Sequence, residues 1–279
     1  MKLLGIVILY YPDDTLVDNI GSYIGGVDKL IVWENSPAHS NGEIPESEKI
    51  IKMGNGENAG IGKALNEAIK YAQTNGFTHL LTMDQDSRFE KDHFSKYRSL
   101  VEKNNEKTIF TPNYIIGGRS LYYTHDTFME DNSGGQCLSG SIYPLSIFCE
   151  TGLFRDDLMV DGVDTEMNYR AKKQGVHTKI TLPVLLHHQL GPPSKTYTFL
   201  GLSVNASCER PAQRAYYLVR NHILIKKLYS QHDPDLFYTF YKRLFVVVFF
   251  EKDKRIKLKG LIMGYIHGKM GRTGEYTLK

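Results

Sequence analysis

The segment that most restricts the fold is a short apolar run, residues 77–82, which leads into two carboxylates, Asp84 and Asp86. Short runs of this kind are typical of strands buried in a parallel sheet. Ligands of open α/β sheets bind just beyond the carboxyl ends of such strands. Carboxylates at that place suit Mg²⁺ or Mn²⁺, which prefer oxygen ligands. The Asp-x-Asp pattern alone is weak, because two solvated acids at a strand end would look the same.

Strand and helix patterns alternate over residues 1–115, and such alternation predicts parallel βαβ units with right-handed crossovers. The predicted strands cover residues 3–10, 29–33, 49–53, 77–83 and 108–114. The predicted helices cover 14–24, a segment that ends at Gly76, and 94–101. Further on, we expect a loop at 133–135, a strand at 138–144, a helix at 165–174 and a strand at 177–186 interrupted by Pro183. The last third is predicted to be helical, over 212–228 and 236–250.

Size and composition exclude several classes of protein. With 279 residues, the chain can form one large α/β domain with additions, or two small domains. Three widely spaced cysteines (Cys137, Cys149 and Cys208) argue against a disulfide framework and for a reducing compartment. The apolar N-terminus lacks a cleavage site and is expected to be the first strand. The sequence contains no apolar run of about 18 residues, so no membrane-spanning helix is predicted. The basic C-terminal region lacks a recognised nucleic-acid-reading motif, so no nucleic-acid partner is expected.

Several short motifs occur in a specific order and spacing. They are Tyr10–Asp13, Glu34–Ser36, Asn58–Asn66, Met83–Ser87, Leu138–Ser141, Gly152–Ala171, His188–Gly191 and Arg214–Asn221. Over residues 3–225, this series resembles a family 2 glycosyltransferase of the GT-A fold, nearest to the bacterial rhamnosyltransferase branch. The resemblance implies an α/β fold with a Rossmann-like, mixed but mainly parallel sheet flanked by helices. It implies a glycosyltransferase domain at 1–210, with a nucleotide-sugar half (1–115) and an acceptor half (116–210), and a helical C-terminal region at 211–279.

The resemblance also implies a reaction: metal-dependent, inverting transfer of a sugar from a nucleotide diphosphate. A bound Mn²⁺ or Mg²⁺ neutralises the leaving diphosphate, and one general base serves the acceptor hydroxyl. We expect dTDP-L-rhamnose as donor, with a UDP-sugar such as UDP-galactofuranose as the alternative. The expected acceptor is an oligosaccharide or a polyprenyl-linked glycan in bacterial surface polysaccharide synthesis, such as O-antigen or capsule. The expected location is cytoplasmic, at the inner face of the cell membrane.

Matching the family's motifs residue by residue assigns the reactive groups. Asp86 and His188 are the expected metal ligands, and Asp84 is expected to bind the ribose or a metal-bound water. His187 is the alternative ligand, because neighbouring strand side chains face opposite ways and only one of the two can reach the site. Asp164 is the expected base, although an Asp before a helix starting at Thr165 could simply be its N-cap. Two other acids, Asp161 and Glu166, are the alternatives and are otherwise expected to orient the acceptor.

The donor nucleotide is expected to meet residues from four loops. Glu34 stands where the family usually has an Asp that accepts the N3–H of uracil or thymine. The remaining expected donor-binding residues are Tyr10 and Pro12 beside the base, Asn58, Gly60 and Lys63 at a helix start suited to phosphate, and Ser139 and Gly140 near the sugar. Arg214 and Arg220 could meet phosphate or the acids, or could pair structurally.

The C-terminal region leaves three interpretations open. The apolar run 241–250 with its basic flank at 251–259 suits an interfacial helix on an anionic membrane surface. It suits a buried packing helix or a homo-oligomer contact equally well. Two rival functions also remain. A nucleotidyltransferase would need a Gly-rich basic signature after the first strand, which Tyr11–Asp14 does not supply, and a relic GT-A assembly protein would not need the retained acids and histidine.

Overall fold

The computed structural model describes residues 1–40, 42–104, 107–131, 136–188, 194–207, 211–231 and 236–278. The chain forms two compact units. The first comprises residues 1–154 and 167–189, and the second comprises 155–166 and 190–279. The predicted loop at 133–135, Cys208 and the end of the 188–191 motif lie outside the described residues. The predicted boundary between residues 210 and 211 stays a prediction.

The first unit is built on a mixed ten-stranded sheet in the order β3-β2-β1-β4-β9-β6-β10-β5, with β7 beside β6 and β8 beside β10. The strands are β1 Leu3–Leu9, β2 Lys29–Glu34, β3 Ile50–Met53, β4 His79–Asp84, β5 Arg88–Phe89, β6 Thr108–Ile116, β7 Arg119–Ser120, β8 Phe128–Glu130, β9 Ser141–Pro144 and β10 His177–His187. Strands β1 to β4 are mutually parallel, as predicted. Strand β9 is antiparallel to both β4 and β6.

Helices cover this sheet, and their apolar faces explain where they lie. The helices of this unit are α1 Leu16–Gly21, α2 Ile61–Thr74, α3 His93–Glu102 and α4 Phe148–Thr151, and α5 Val163–Lys173 belongs to it from Met167 onward. In α2, Leu65, Ala68, Ile69 and Ala72 are fully buried, which confirms the predicted core-facing stripe. Gly76 follows α2 with φ +66°, a conformation that glycine adopts without steric cost.

Three sequence expectations need correction. Helix α1 covers only Leu16–Gly21, shorter than the predicted 14–24. Pro183 does not interrupt β10, because a register shift against β6 between Thr181 and Leu185 accommodates it. Helix α5 begins at Val163 rather than Thr165, since the amide of Glu166 already bonds to the carbonyl of Gly162. Asp164 therefore lies in the first turn, and its proposed N-cap role is wrong.

The second unit contains a hairpin and three long helices. These are β11 Ser194–Phe199, β12 Leu202–Ser207, α6 Ala212–Leu228, α7 Leu236–Phe249 and α8 Lys254–Met270. The sequence analysis predicted α6 and α7 and a helical region that extends to residue 279, but it gave no separate bounds for α8 and did not predict the hairpin. Glycines spaced four residues apart let α8 approach α6 closely. A Cβ at Gly260 would lie 2.6 Å from the carbonyl oxygen of Ala212, and one at Gly264 would lie 2.5 Å from that of Tyr216.

Helix α7 packs inside this unit. Val246 and Val247 of the apolar run are buried. Arg243 of α7 and Lys257 of α8 both pair with the buried carboxylate of Glu251, each at 2.9 Å. This segment therefore fits the packing alternative. No helix among the described residues combines the length and the apolar character needed to cross a bilayer.

Candidate functional site

The carboxyl ends of three adjacent strands form one edge of the sheet in the first unit. The register places Leu9 of β1 opposite Glu34 of β2, and Ile8 opposite Asp84 of β4. Neighbouring strands lie about 4.8 Å apart. Glu34, the chain leaving β1 at Tyr10, and Asp84 therefore follow one another along this edge, which is where open α/β sheets bind ligands.

The path of the chain after β4 brings the acids and a histidine together. Strand β5 pairs antiparallel with the end of β10, so Arg88 lies opposite His187 and Phe89 opposite Leu186. The turn that carries Asp86 is thereby held beside the residue that follows β10. Asp84, Asp86 and His188, here called the Asp-Asp-His cluster, place ligand atoms within 4.8 Å of one another.

Contacts around His188 fix its ring. The side chain is 8% exposed, and its Nδ1 lies 2.8 Å from the Oγ of Ser87 and 3.9 Å from an oxygen of Asp84. Its ring also packs on Tyr114, with the centroids 5.8 Å apart. Burial lowers the pKa of His188 below its ordinary value, while the charge of Asp86 partly opposes this. A neutral imidazole whose ring is oriented by a hydrogen bond at one nitrogen can bind a metal through the other nitrogen.

The two neighbouring histidines have different surroundings. His187 contacts the carboxylate of Glu90 through Nε2, whereas His188 joins the two aspartates. Two carboxylates and a neutral imidazole form a donor set that suits a hard or borderline divalent cation such as Mn²⁺ or Mg²⁺. The residues present therefore fit the metal that the sequence implied, and His188 rather than His187 is placed to bind it.

Gln85, between the two aspartates, holds the expected base-binding segment. The amide of Tyr10 donates to its Oε1 at 2.7 Å, and its Nε2 donates to the carbonyl of Tyr10 at 3.1 Å. Asn19 donates to the carbonyl of Gln85 at 2.8 Å. The rings of Tyr10 and Tyr11 remain half-exposed and meet edge to face. The Asp-x-Asp turn and the Tyr10–Pro12 segment are therefore coupled through one amide side chain.

A second network ties the Glu34 loop to the start of α2. Asn35 donates to Asn58 at 3.1 Å and accepts from the amide of Ala59 at 2.8 Å. The Oδ1 of Asn58 also accepts from the amide of Gly60. These amides are engaged within the loop, so they are not spare donors for phosphate. Lys63, which is exposed in the first turn of α2, is the remaining cation among the predicted phosphate contacts.

Ser139 and Gly140 form hydrogen bonds with the backbone of β4, the strand that leads into the Asp-Asp-His cluster. The Oγ of Ser139 accepts from the amide of Asp84 at 3.1 Å, and the amide of Gly140 donates to Thr82 at 2.7 Å. Gly140 has φ +79°, and a Cβ there would lie 2.7 Å from Pro112. The glycine is thus required by packing within the protein, and its predicted contact with the donor sugar stays a prediction.

In the second unit, residues 156–162 form an acid-rich loop, here called the acidic loop. Met159 and Asp161 adopt positive φ angles of +66° and +56°, a costly conformation for residues other than glycine. The Oδ1 of Asp161 lies 3.4 Å from Arg214, while its Oδ2 is buried and has no hydrogen-bond partner among the described residues. A buried, unsatisfied carboxylate oxygen is uncommon and suits a ligand contact.

Asp164 follows this loop in the first turn of α5. Its Oδ1 accepts from the amide of Thr165 at 2.7 Å. Poor solvation of the carboxylate, assisted by the charge of Asp161, raises its pKa above the ordinary value, although the side chain is not fully shielded from solvent. A raised pKa makes a carboxylate a better proton acceptor.

Arg220 and Asn221 of α6 hold the acidic loop in its strained shape. Arg220 is fully buried and donates to the backbone carbonyls of Asp157 and Leu158, both at 3.1 Å. The Nδ2 of Asn221 lies 2.9, 2.6 and 2.7 Å from the carbonyls of Leu158, Val160 and Asp161. Of the alternatives left open for Arg220, structural pairing is the one observed.

Glu166, the other predicted acceptor residue, is buried and accepts from the hydroxyl of Tyr229 at 2.9 Å. Its role toward an acceptor stays a prediction. The sequence analysis assigned no role to Gln85, Ser87, Asn35 or Asn221. Each lies inside one of its motifs, so membership of a motif was the only signal that could have found them.

A cavity of about 160 Å³ lies elsewhere in the first unit, lined by residues that include Glu130, Asn168 and Thr178. It adjoins the start of β10, whereas His188 follows the end of that strand. This cavity is therefore separate from the Asp-Asp-His cluster.

Comparison with known proteins identifies similar sequences and folds. The sequence profile of "Glycosyl transferase family 2" matches residues 34–160. The dTDP-rhamnosyl transferase RfbF of Shigella flexneri is 26% identical over 254 residues, which cover 83% of this chain and 82% of that protein.

Solved structures share the fold at low sequence identity. TarS of S. aureus, residues 1–349 with UDP-GlcNAc, has a TM-score of 0.54 at 12% identity over 96% of this chain and 81% of TarS. GalNAc-T7 with UDP, GalNAc and Mn²⁺ has a TM-score of 0.55 at 8% identity, over 97% of this chain and 56% of that one. These likenesses confirm the predicted fold class.

Proposed function

We propose that this chain, a glycosyltransferase resembling the rhamnosyltransferases of family 2, transfers L-rhamnose from dTDP-L-rhamnose to a glycan acceptor with inversion. A nucleotide-sugar donor is supported by the relatives, whose names and bound molecules include a dTDP-sugar enzyme, UDP and UDP-GlcNAc. The observation that carries the proposal is the Asp-Asp-His cluster at the carboxyl edge of the sheet.

On the donor side, Asp86 and His188 would hold a divalent ion, and Asp84 would bind the ribose or a water on that ion. When bound, the ion supplies positive charge that stabilises the departing diphosphate. Glu34 accepts the N3–H of the base, and the Tyr10–Pro12 segment, fixed by Gln85, forms the wall beside it. Lys63 and the first turn of α2 attract the phosphates.

On the acceptor side, Asp164 takes the proton of the acceptor hydroxyl. The hydroxyl oxygen then bonds to the anomeric carbon, and the bond from that carbon to the phosphate oxygen breaks on the opposite face. The raised pKa of Asp164 supports this role, because a base works best when its pKa approaches the working pH. The unsatisfied Oδ2 of Asp161 is a candidate acceptor for a sugar hydroxyl.

The acceptor class is proposed to be a polyprenyl-linked glycan of bacterial surface polysaccharide synthesis, at the cytoplasmic face of the membrane. A UDP-sugar such as UDP-galactofuranose is the second candidate donor. It is favoured by the similarity to structures with bound UDP, and because uracil and thymine both present an N3–H to Glu34.

Calorimetric titration with dTDP and with UDP, each with Mn²⁺ and with chelator, tests the donor site. We expect metal-dependent binding, tighter for dTDP, and loss of the metal dependence in Asp86→Asn. Asp126→Asn, at an exposed carboxylate of the same unit, is the matched control and should bind as the parent does.

Transfer from dTDP-L-rhamnose is then measured with synthetic lipid-linked acceptors. Tighter binding of UDP than of dTDP would favour the second candidate donor, a UDP-sugar such as UDP-galactofuranose. If neither nucleotide binds, the assignment of a pyrimidine-nucleotide sugar as donor is wrong, and the alternative of a relic GT-A assembly protein is favoured.

A further inference from the structure

The solvent-facing side of α8 carries large apolar side chains. Ile262, Ile266 and Met270 are 49%, 41% and 64% exposed. Their spacing of four residues places them on one side of the helix, together with Arg255, Lys259 and Lys269. We call these six residues the basic apolar face. At 1.5 Å per residue it extends for about 22 Å.

This face is not the one that packs in the protein. The opposite side of α8 holds Gly260, Leu261, Gly264 and Gly268, all buried, and the three glycines pack against α6. The packing of α8 against the rest of its unit is therefore made by residues outside the basic apolar face. Exposed isoleucines in series on the far side are unusual, because the solvent side of a surface helix is normally polar.

The charge of α8 is of one sign. Residues 254–270 include five Lys or Arg and no Asp or Glu. Lys257 is buried against Glu251, which leaves Lys254, Arg255, Lys259 and Lys269 exposed on the helix. Basic side chains interleaved with apolar ones can bury their methylene stems in an interface while their charged ends reach outward.

We propose that the basic apolar face docks on an anionic lipid bilayer, with α8 lying parallel to the membrane surface. This deepens the proposed function and rests on it for the lipid-linked acceptor. Apolar side chains would enter the region between headgroups and acyl chains, and the basic ones would meet anionic headgroups. The docking helix is therefore α8 and not the apolar run 241–250, whose Val246 and Val247 are buried.

Charge argues against a second copy of the chain as the occupant. In a two-fold interface the same patch meets itself. The positive side chains of α8 would then face their own copies, and like charges placed together across an interface are unfavourable. An anionic bilayer complements both the apolar and the basic groups of this face.

Co-sedimentation with vesicles tests the proposal on the full chain. Vesicles of phosphatidylcholine with phosphatidylglycerol are compared with pure phosphatidylcholine. We expect binding to the anionic vesicles only, weakened by salt. The double variant Ile262→Ser with Ile266→Ser should bind about tenfold more weakly or worse. Leu121→Ser with Tyr123→Ser, exposed apolar residues of the first unit, is the control.

A second pair of variants tests the charges without removing apolar groups. Each basic residue near an anionic surface contributes about a fivefold gain in binding. Lys259→Gln with Lys269→Gln should therefore weaken binding by roughly 25-fold. Lys96→Gln in α3 with Lys103→Gln directly after that helix should leave binding unchanged, since both lysines are exposed in the first unit.

Three outcomes would overturn the proposal. In the first, the parent protein does not bind anionic vesicles. In the second, both double variants bind these vesicles as the parent does. In the third, sedimentation shows that the parent is a dimer and that the isoleucine variant is a monomer, which would mean that a second copy of the chain covers the face. Calorimetry with dTDP on the same samples keeps the proposals separate, since failed sugar transfer with intact vesicle binding would contradict only the proposed reaction.

Discussion

Asp164 follows a strained backbone segment, and its carboxylate is poorly solvated. It follows Asp161 and Gly162, which both have positive φ angles, and its carboxylate contacts the neighbouring Thr165. Such a group destabilises the protein when ionised, because burial favours its neutral form. The cost is expected where a carboxylate is held ready to accept a proton.

Asp164→Asn should therefore lower activity and raise stability together. The folded-state pKa is raised, so the ionised parent loses stability as the pH rises above the unfolded value of 3.8. We expect the variant to be more stable than the parent at pH 7 and nearly equal to it at the lowest accessible pH. Urea unfolding at several pH values measures this, and turnover should fall by about 10²- to 10⁴-fold. Retained turnover would contradict the assignment of the base.

Asn221 illustrates a residue whose function depends on what it holds. Its amide meets three carbonyls of the acidic loop. Asn221→Ala should remove the side-chain donor from the carbonyls of Val160 and Asp161, whereas Leu158 keeps its bond from Arg220, at a cost of about 1–3 kcal/mol. The loop should lose its fixed shape, lowering kcat.

Calorimetry should show dTDP binding unchanged in this variant, since the proposed nucleotide contacts lie in the first unit. Asn205→Ala, at an exposed position on β12 of the same unit as Asn221, is the control. Unchanged kcat together with a lower melting temperature would assign Asn221 a purely structural role.

The sequence analysis identified the members of the Asp-Asp-His cluster but not the residues that hold them in place. Asp84, Asp86 and His188 were expected together, and the structure brings them together. Gln85 was not given a role, because a side chain that bonds to a distant backbone carries no periodic or chemical signature. Asp164 was placed at a helix cap, because helix boundaries depend on hydrogen bonds such as that of Glu166 to Gly162, which propensity does not reveal.

At the scale of elements, α8 depends on its glycines. Gly260, Gly264 and Gly268 have ordinary helical φ angles, so the space taken by neighbours, and not backbone conformation, requires them. Glycine normally disfavours a helix, so sequence propensity gives α8 no clear bounds within the helical region predicted at 211–279. The close approach to α6 explains the composition.

Gly264→Ala should destabilise the protein although alanine favours helix. The new Cβ would lie 2.5 Å from the carbonyl oxygen of Tyr216, so α8 must shift, at a cost of about 1–3 kcal/mol. Gly21→Ala at the end of α1 meets no atom within 4 Å and should be neutral or slightly stabilising. Thermal unfolding of the two variants measures the difference. Equal stability would mean that the helices separate without cost.

The strands were predicted more reliably than the short elements. β1 is apolar throughout, and β2 and β4 have mainly apolar, buried centres, a pattern that parallel sheets impose on their sequences. β5 has only two residues and no such pattern, yet its pairing with β10 positions the turn that carries Asp86. Short strands of this kind depend on tertiary contacts, so sequence alone does not predict them.

For the whole molecule, ligand binding should appear as stability. A ligand that binds only the folded protein stabilises it by about 2.7 kcal/mol at 100 times its dissociation constant. We expect dTDP with Mn²⁺ to raise the melting temperature by several degrees, and neither component alone to do as much. Differential scanning fluorimetry measures this. Asp86→Asn should abolish the synergy, and an unchanged synergy in that variant would contradict its role as a metal ligand.

The last residues of the chain have a consequence for genetics. The amide of Gly274 donates to the carbonyl of Asp157 at 2.7 Å, and the carbonyl of Gly274 accepts from Arg220. A frameshift after residue 270 would spare every acid and histidine discussed above, yet it would delete the segment that braces the acidic loop. In a complementation screen, alleles truncated there should behave like alleles that lack an acid of the acidic loop.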